Sequence, residues 1–564
     1  MKRRLLQLLL VVALITAVSL LLLPLRRQHV DSLYLNGAVY TLNDRQPRAE
    51  AVAVSGDRIT AVGSTADLER RFKADTVIDL HGKPLYPGFI DAHLHLEGIG
   101  IALSNLNVSG KSLDQIRDLI REQLPRKPAG QWIRGRGWDQ NLWTGKSFPN
   151  HYDLDIIAPN CPVYLVRVDG HAVWVNKVVL DLAGITSSTP DPPGGRILRD
   201  SRGQPTGVFL DTAIELLASL LPEPSEAEHS AAIQKASQEC IAEGITEVHD
   251  MGADLSRIDL YKKLAAGGML PLRVYVALEG TDQKAVEKYL SSGPEIGLHG
   301  GRITVRAIKL YADGALGSRG AALIEPYTDD PPNRGLTVTT SDELEFASTR
   351  CVEKGFQLCV HAIGDRANTI VLSAFEKTFN SMHVNGLDKR FRVEHAQVLA
   401  PRDIGRFAAI GAIPSMQPVH CTSDMPWATD RLGLTRIKGA YAWKSLINSG
   451  STIASGSDAP VEEPSVIRGF YAAITRERPD GTPPGGWCPD ERMSRDEALK
   501  SFTAWAAYAA FQEKEKGSIE PGKWADFTIL SDDIMTIDVR KILSVVVEKT
   551  VVGGHTVYAR NGRK

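Results

Sequence analysis

The chain lacks an excess of either charge, since 65 Lys and Arg residues stand against 67 Asp and Glu residues among 564. The resulting formal net charge of −2 removes the usual electrostatic argument for nucleic-acid binding, which needs a basic domain or stripe. Cysteine is scarce, and six residues without a C-x-x-C pair exclude a disulfide scaffold. A G-x-S-x-G motif is also missing, which argues against a serine hydrolase. What is left is a large globular chain, too long for a single core of about 250–300 residues.

One long hydrophobic run departs from this average composition. Residues 5–25 are nearly all aliphatic, with three basic residues before them and two after. This length matches the roughly 20 residues that cross a hydrocarbon core. We expect an uncleaved signal anchor over residues 1–30, which makes the membrane a partner of the N-terminus and places the body on the periplasmic or extracellular side. The alternative is a cleaved signal peptide and a secreted protein.

Both ends of the chain are rich in short strands separated by turn-forming residues. The N-terminal strands are predicted at 32–39, 51–54, 58–62 and 76–80, and the C-terminal strands at 526–530, 545–550 and 555–559. Isolated hairpins are only marginally stable. We therefore expect the two ends to pair into one small sheet domain, with two unrelated terminal hairpins as the alternative.

The middle of the chain alternates apolar, strand-like runs with longer helical stretches. The runs are 162–168, 245–249, 272–278, 303–311, 356–361, 391–394, 412–416 and 452–455, and two of the helical stretches are 231–243 and 341–354. Alternation over this length predicts an α/β fold with a parallel sheet, most simply a (β/α)₈ TIM barrel. Residues 130–222 are rich in Pro, Gly and Trp, and we interpret them as an inserted lobe.

The sharpest chemical feature is the segment PGFIDAHLH at 87–95. Residues i and i+2 of a strand point to the same face, so His93 and His95 can converge on one point. Two imidazoles at one point form a natural partial ligand set for Zn²⁺ or a similar ion. Two such histidines alone are often surface residues, but here they end an apolar strand.

Further candidates end later predicted strands. They are Lys309, His361, His395 and Asp458. Taken singly, each of them is as readily a core or surface residue as a ligand. A TIM barrel keeps its chemistry at the carboxyl ends of its strands, so several such residues at one end indicate a site. A buried Lys309 is costly unless it is paired, neutral or chemically modified.

These segments resemble the amidohydrolase superfamily, and specifically the branch called amidohydrolase family 3, the YtcJ-like metal-dependent hydrolases. The matching segments, in the family's order, are PGFIDAHLH (87–95), GWDQN (137–141), KLYADGALGSRGAAL (309–323), HAIGDRAN (361–368), RVEHAQ (392–397), SMQPVH (415–420), GSDAPVE (456–462) and GSIEPGKWADFTIL (517–530). The resemblance implies a metal-dependent hydrolase barrel over 85–512 and a β-sandwich formed by 31–84 and 513–564.

The resemblance also implies the ligand set of a metal centre. His93 and His95 would bind a first divalent metal, and Asp458 would contact that metal and the reactive water. A second metal would be bound by His361 and His395. Lys309 would bridge the two metals as a carbamate. Zinc is the expected metal, and since the superfamily includes one-metal members, both one and two ions stay open.

The function that the resemblance implies is hydrolysis of a C–N bond of a small molecule, in an amide, N-acyl or N-formyl group. In such a reaction a bound metal would activate the water that attacks the carbonyl, and Asp458 would act first as base and then as acid. Hydrolysis or isomerisation of a cyclic amide or ester is an alternative, and a catalytically silent, membrane-anchored regulator is another. No nucleic-acid partner is expected, and a homo-oligomer stays open.

Other residues are candidates for substrate contact or for supporting the metal ligands. These are His171, Arg319, Asp365, Arg366, Glu394 and His420. Glu394 precedes a predicted ligand, and metal-binding histidines usually donate their second ring nitrogen to an acceptor such as a carboxylate. Salt bridges are an equally good interpretation of Arg319, Asp365 and Arg366, and a packed, hydrogen-bonded histidine is one for His171.

Overall fold

The computed structural model describes residues 27–126, 131–140, 143–167, 172–192, 195–218, 220–221 and 225–560. Almost all of the predicted N-terminal anchor (1–30) and the candidate His171 lie outside these residues. Within the described ranges, no helix is long and apolar enough to cross a membrane. The described chain forms two compact units, one comprising 27–95 with 237–560 and the other Leu96–Ala236.

Both chain ends build one β-sandwich in the larger unit, as predicted. One sheet has the strand order Arg58–Gly63, Ala51–Ser55, Gln28–Leu35 and Phe72–Asp79, and the other has the order His555–Ala559, Val547–Val552, Phe527–Leu530, Pro84–Pro87, Ala38–Tyr40 and Arg48–Ala49. Tyr34 and Val52 of the first sheet pack with Phe527 and Val551 of the second in a shared apolar core. Phe527 pairs with Pro87 in antiparallel register, which joins the two chain ends directly.

Eight parallel strands form the predicted TIM barrel, which is nearly closed. They are β1 (Phe89–Leu94), β2 (Ile245–Ala253), β3 (Arg273–Glu279), β4 (Ile303–Tyr311), β5 (Gln357–Ala362), β6 (Arg392–His395), β7 (Ile413–Met416) and β8 (Ala454–Ser455), paired in sequence order. Two backbone hydrogen bonds hold the ends of β8 and β1 together: Asp458 N donates to His93 O at 2.7 Å, and His95 N donates to Ala459 O at 2.8 Å. The last residues of these two strands are therefore neighbours.

Helices follow the strands, and their boundaries have local causes. They include Glu226–Ala242, Leu255–Ala266, Gln283–Ser292, Ser341–Lys354, Asp365–Ser381, Pro401–Ile410, Pro418–Arg436, Trp443–Asn448, Val466–Thr475, Arg495–Ser501 and Ala504–Ala509. In Ser341–Lys354, Thr340 and Glu343 form a capping box at the start, and Gly355 in the left-handed conformation ends the helix. The predicted bounds of this helix are confirmed.

The smaller unit has its own sheet and core. Its strand order is Gly195–Arg199, Pro205–Asp211, Ala172–Val175, Val163–Arg167, Ile133–Trp138 and Leu106–Asn107, and its helices are Leu96–Ser104, Leu113–Gln123, Tyr152–Asp155, Lys177–Leu182 and Glu215–Ala218. Trp138 and Trp174 are fully buried in its core. The strand Val163–Arg167 belongs to the predicted run 162–168, which we group with the strands of the main α/β region, but it lies in this sheet and not in the barrel. A strand's local apolar pattern does not reveal which sheet it joins.

Candidate metal centre

All six predicted ligands lie at the carboxyl ends of barrel strands. His93 is in β1 and His95 directly follows it, Lys309 is in β4, His361 is in β5 and His395 ends β6. Asp458 follows β8. Parallel strands end at one edge of a barrel, so these side chains are gathered there.

Three of these residues form a buried cluster with the spacing of a metal site. Ligand atoms of His93, His395 and Asp458 all lie within 4.8 Å of one another. The Nε2 atoms of His93 and His95 lie 3.5 Å and 3.4 Å from Oδ1 of Asp458. The convergence predicted for His93 and His95 is thus present, and both imidazoles lie next to the Asp458 carboxylate.

Two more predicted ligands lie beside this cluster. The rings of His361 and His395 are 4.6 Å apart between centroids. Lys309 is buried, and its Nζ lies 5.1 Å from the ring centroid of Tyr311. Among the described residues, no carboxylate lies within 4 Å of this amine. The ammonium form of Lys309 therefore lacks the close partner that a buried charge requires.

Unpartnered atoms show that the cluster fits a cation. The Nε2 atoms of His93, His361 and His420 are buried, and none has a hydrogen-bond partner in the described structure. A buried polar atom without a partner is costly, and such atoms mark places where an ion or water belongs. Imidazole nitrogens with a carboxylate oxygen are the donor set that Zn²⁺ and similar divalent ions accept.

The protonation states also suit a metal. Burial and the Lys309 charge lower the pKa of His93 to about 4, and the same two causes lower that of His361 to about 3. Burial alone would raise the pKa of Asp458, but the hydrogen bond from His95 and the nearby His93 hold it well below its usual value. At neutral pH His93 and His361 are therefore neutral imidazoles and Asp458 is an ionised carboxylate, the forms that bind metals.

Hydrogen bonds to the second ring nitrogens orient two of the histidines. His93 Nδ1 lies 2.6 Å from Oε2 of Glu394, a contact that agrees with the supporting role expected for this glutamate. His395 Nδ1 lies 2.7 Å from Oε1 of Gln417. We did not predict Gln417, although it lies in the segment SMQPVH at the end of β7. Its position directly after a barrel strand is the signal that could have identified it.

Two buried aspartates, also not predicted, hold the loops around the cluster. Asp91 accepts hydrogen bonds from the backbone N–H groups of His93 (3.2 Å) and Ser457 (3.0 Å). Asp313 accepts three backbone hydrogen bonds, from Ala322, Ile363 and Gly364. Burial raises the pKa of Asp91 to about 6 and that of Asp313 to about 7. Both lie in the recognised segments, but three of their partners, Ser457, Ile363 and Gly364, come from distant parts of the chain.

The remaining candidates differ in their surroundings. His420 Nε2 lies 3.6 Å from Oδ2 of Asp458, so His420 borders the cluster. Arg319 forms a salt bridge, which is the alternative interpretation given above, with its Nη2 2.9 Å from Oδ2 of Asp329. Asp365 begins a helix and accepts a hydrogen bond from the backbone N–H of Ile324 at 2.8 Å.

The last of these candidates is Arg366, whose backbone N–H donates to the carbonyl of Ala322 at 3.1 Å. The contacts of Arg319, Asp365 and Arg366 stabilise loops and a helix start. Substrate contact by any of the three stays a prediction.

Comparison with known proteins matches nearly the whole chain. The model of the amidohydrolase family matches residues 76–558, which contain all six predicted ligands. YtcJ of Bacillus subtilis (strain 168) is 35% identical over 94% of this chain and 100% of its own length. The N-substituted formamide deformylase of Arthrobacter pascens is 29% identical over 94% and 99%. A solved metal-dependent hydrolase from Pyrococcus furiosus has a TM-score of 0.74 and 27% identity, covering 90% of this chain and 100% of that one.

Proposed function

Since the chain belongs to the amidohydrolase family, we propose that it hydrolyses a C–N bond of a small molecule, in an amide, N-acyl or N-formyl group. The observation that carries this proposal is the buried cluster of His93, His395 and Asp458, whose ligand atoms lie within 4.8 Å of one another. The printed name of the Arthrobacter relative supports the N-formyl group as the first substrate class to examine.

We assign the cluster to divalent metal ions, with zinc as the metal. His93, His95 and Asp458 would hold one ion, while His361 and His395 would hold a second. Lys309 would supply oxygen ligands to both as a carbamate, which removes the problem of a buried, unpaired ammonium. When bound, such an ion lowers the pKa of a coordinated water and polarises a carbonyl oxygen.

Proton transfer falls to Asp458 in this proposal. Its carboxylate is ionised at neutral pH, because the neighbouring histidines hold its pKa low, and it can therefore accept a proton from water. It then returns that proton to the departing nitrogen when the C–N bond breaks. The balanced reaction takes one amide and one water to a carboxylic acid and an amine. A positioned acid and base of this kind contributes about 10²–10⁴-fold to rate.

A substrate screen on metal-reconstituted protein tests this function. Purified protein is stripped of metal, reloaded with Zn²⁺, Mn²⁺ or Co²⁺, and offered N-formyl amines, N-acyl amines, lactams and lactones. Release of free amine from a formyl or acyl amine is the expected result. Turnover restricted to lactams or lactones would move the substrate class to cyclic compounds, and no turnover with any metal would contradict the proposal.

A further inference from the structure

A buried arginine links four strands inside the barrel below the metal cluster. The guanidinium of Arg392 is fully buried, and its Nη2 donates to the Ala92 carbonyl at 2.6 Å and to Ser415 Oγ at 2.8 Å. Its Nε lies 2.7 Å from Oε1 of Glu394, and its Nη1 lies 3.0 Å from Nδ1 of His249. Arg392 thereby joins β1, β2, β6 and β7 at one point.

The contact with His249 determines where that imidazole carries its proton. A guanidinium has only donors, so Nδ1 of His249 must accept and its proton must lie on Nε2. That Nε2 lies 3.4 Å from Oε1 of Glu247, which itself pairs with Lys516. The arrangement of charges therefore favours the Nε2–H tautomer of His249 from both sides.

The contact with Glu394 determines the opposite tautomer at His93. Arg392 donates a hydrogen bond from Nη2 to Oε2 of Glu394 at 3.1 Å, and its Nε lies 2.7 Å from Oε1 in an ion pair without hydrogen-bond geometry. The hydrogen bond and the ion pair hold the carboxylate beside the guanidinium in its ionised form, and Oε2 accepts from Nδ1 of His93 at 2.6 Å. The proton of His93 then lies on Nδ1, and the Nε2 lone pair faces Oδ1 of Asp458 at 3.5 Å.

We propose that Arg392 is a positioning residue that sets the tautomer of His93 through Glu394, so that the His93 Nε2 lone pair is presented to the cation. The part of this proposal that concerns the cation rests on the proposed function. The tautomers of His93 and His249 do not depend on it, because they are set by hydrogen bonds within the metal-free protein. A lysine at this position offers a point charge on a flexible stem and cannot contact both carboxylate oxygens in one plane.

The first test uses the metal-free wild-type protein with ¹⁵N-labelled histidine. Long-range ¹H–¹⁵N correlation spectra distinguish a protonated Nδ1 from a protonated Nε2, and single His→Asn variants assign the signals. We expect opposite tautomers, Nδ1–H at His93 and Nε2–H at His249. An Nε2–H tautomer at His93 would overturn the proposal. Since no turnover is involved, this result is independent of whether any amide is hydrolysed.

The second test compares Arg392→Lys with Arg273→Lys. Arg273 is also buried and paired with a carboxylate, that of Asp526 at 2.8 Å, which makes it a matched control for the loss of a buried arginine. Loss of a partner that orients a metal ligand typically weakens metal binding about 10–100-fold. We expect this weakening for zinc, measured by competition with a chromophoric chelator, together with a changed His93 spectrum, in Arg392→Lys only.

Several outcomes decide against the inference. An unchanged His93 spectrum with unchanged zinc affinity in Arg392→Lys would overturn it, as would an equal loss in Arg273→Lys. If Arg392→Lys does not fold, Ser415→Ala replaces it, because it removes one hydrogen bond of the guanidinium and leaves the charge in place. A single hydrogen bond corresponds to about 2–10-fold in affinity. In that case the wild-type His93 spectrum decides, and an Nε2–H tautomer at His93 would refute the role of Arg392.

Discussion

The Nε2 atom of His93 lies 3.5 Å from Oδ1 of Asp458, and the backbone N–H of Asp458 donates to the carbonyl of His93 at 2.7 Å. The same two residues thus join the ends of β8 and β1 through their backbones, and their side chains belong to the candidate metal site. Since an imidazole lone pair and a carboxylate oxygen repel each other at this distance, a cation bound between them would stabilise the pair.

Asp458→Asn should remove most of the hydrolytic activity. The amide retains the shape of the carboxylate but cannot accept the proton of water, so we expect kcat to fall by about 10²–10⁴-fold. Metal content should remain measurable, because the histidines are unchanged. The measurement is steady-state kinetics on the best substrate of the screen, with metal content determined on the same samples. Asp480→Asn, at an exposed turn, is the control, and a normal kcat for Asp458→Asn would exclude the assigned role.

Removing the metal should lower thermal stability, and restoring it should raise Tm. A ligand that binds only the folded state stabilises it by about 2.7 kcal/mol at 100 times its Kd. We expect His361→Ala to lose a large part of the rise in Tm that zinc causes in the wild type. His555→Ala changes an exposed histidine of the sandwich and should retain the whole rise. Equal zinc responses of the two variants would remove His361 from the ligand set.

Glu247→Gln should destabilise the protein most at neutral pH. Burial alone would raise the pKa of Glu247, but the charge of Lys516 outweighs it and holds the pKa at about 2. A carboxylate with a lowered pKa stabilises the fold above its unfolded pKa of about 4.5 and loses that effect as the pH falls toward 2. Breaking a buried ion pair costs about 3–5 kcal/mol.

The difference in unfolding free energy between wild type and Glu247→Gln should therefore be largest near pH 7 and shrink below pH 4.5. Urea unfolding between pH 7 and pH 3 measures it, with exposed Glu69→Gln as the control. A difference that stays constant across this range would show that Glu247 is not ionised in the folded protein.

Gly456→Ala should weaken the junction between β8 and β1. A Cβ at Gly456 would lie 2.4 Å from the backbone N of His93 and 2.7 Å from Oδ1 of Asp91, so one strand end has to move. Inserting a methyl group into a packed site costs about 1–3 kcal/mol. Gly405→Ala is the matched control, because its Cβ would meet nothing within 4 Å in the helix Pro401–Ile410.

Urea unfolding should show a loss of stability for Gly456→Ala and a gain of about 0.5–1 kcal/mol for Gly405→Ala, where alanine is the better helix former. Zinc affinity should fall in Gly456→Ala as well, since His93 lies on the strand that is displaced. Stability equal to the wild type would contradict the close packing at this junction.

Local sequence patterns were sufficient to predict several elements of the fold. Thr340, Glu343 and Gly355 delimit one helix through contacts within the helix itself, and its bounds agree with the prediction. The pair His93 and His95 was predictable for the same reason, because strand periodicity alone places them on one face. Features that depend only on contacts between residues close in sequence, such as helix ends and the face of a strand on which a side chain lies, can therefore be predicted from the sequence.

Partners distant in sequence were not predictable in this way. Gln417 faces His395 and Arg392 faces His249 because β6 lies beside β7 and the barrel interior brings β2 and β6 together. The backbones of His395 and Asp458 adopt φ values of 71° and 59°, in a region that non-glycine residues rarely occupy. The sequence around these two residues does not predict positive φ values, because the strained backbone is held in place by contacts with the surrounding structure.

The sequence by itself determined the fold class and the family, and it predicted the six residues that we propose as metal ligands, because each depends on residue types in a fixed order along the chain. Only the tertiary structure decided which atoms meet: Asp458 with His93 and His95, Glu394 with His93, and Arg392 with Glu394 and His249. The physical reason is that these contacts depend on strand register and barrel closure, which are properties of the whole sheet and not of any one segment.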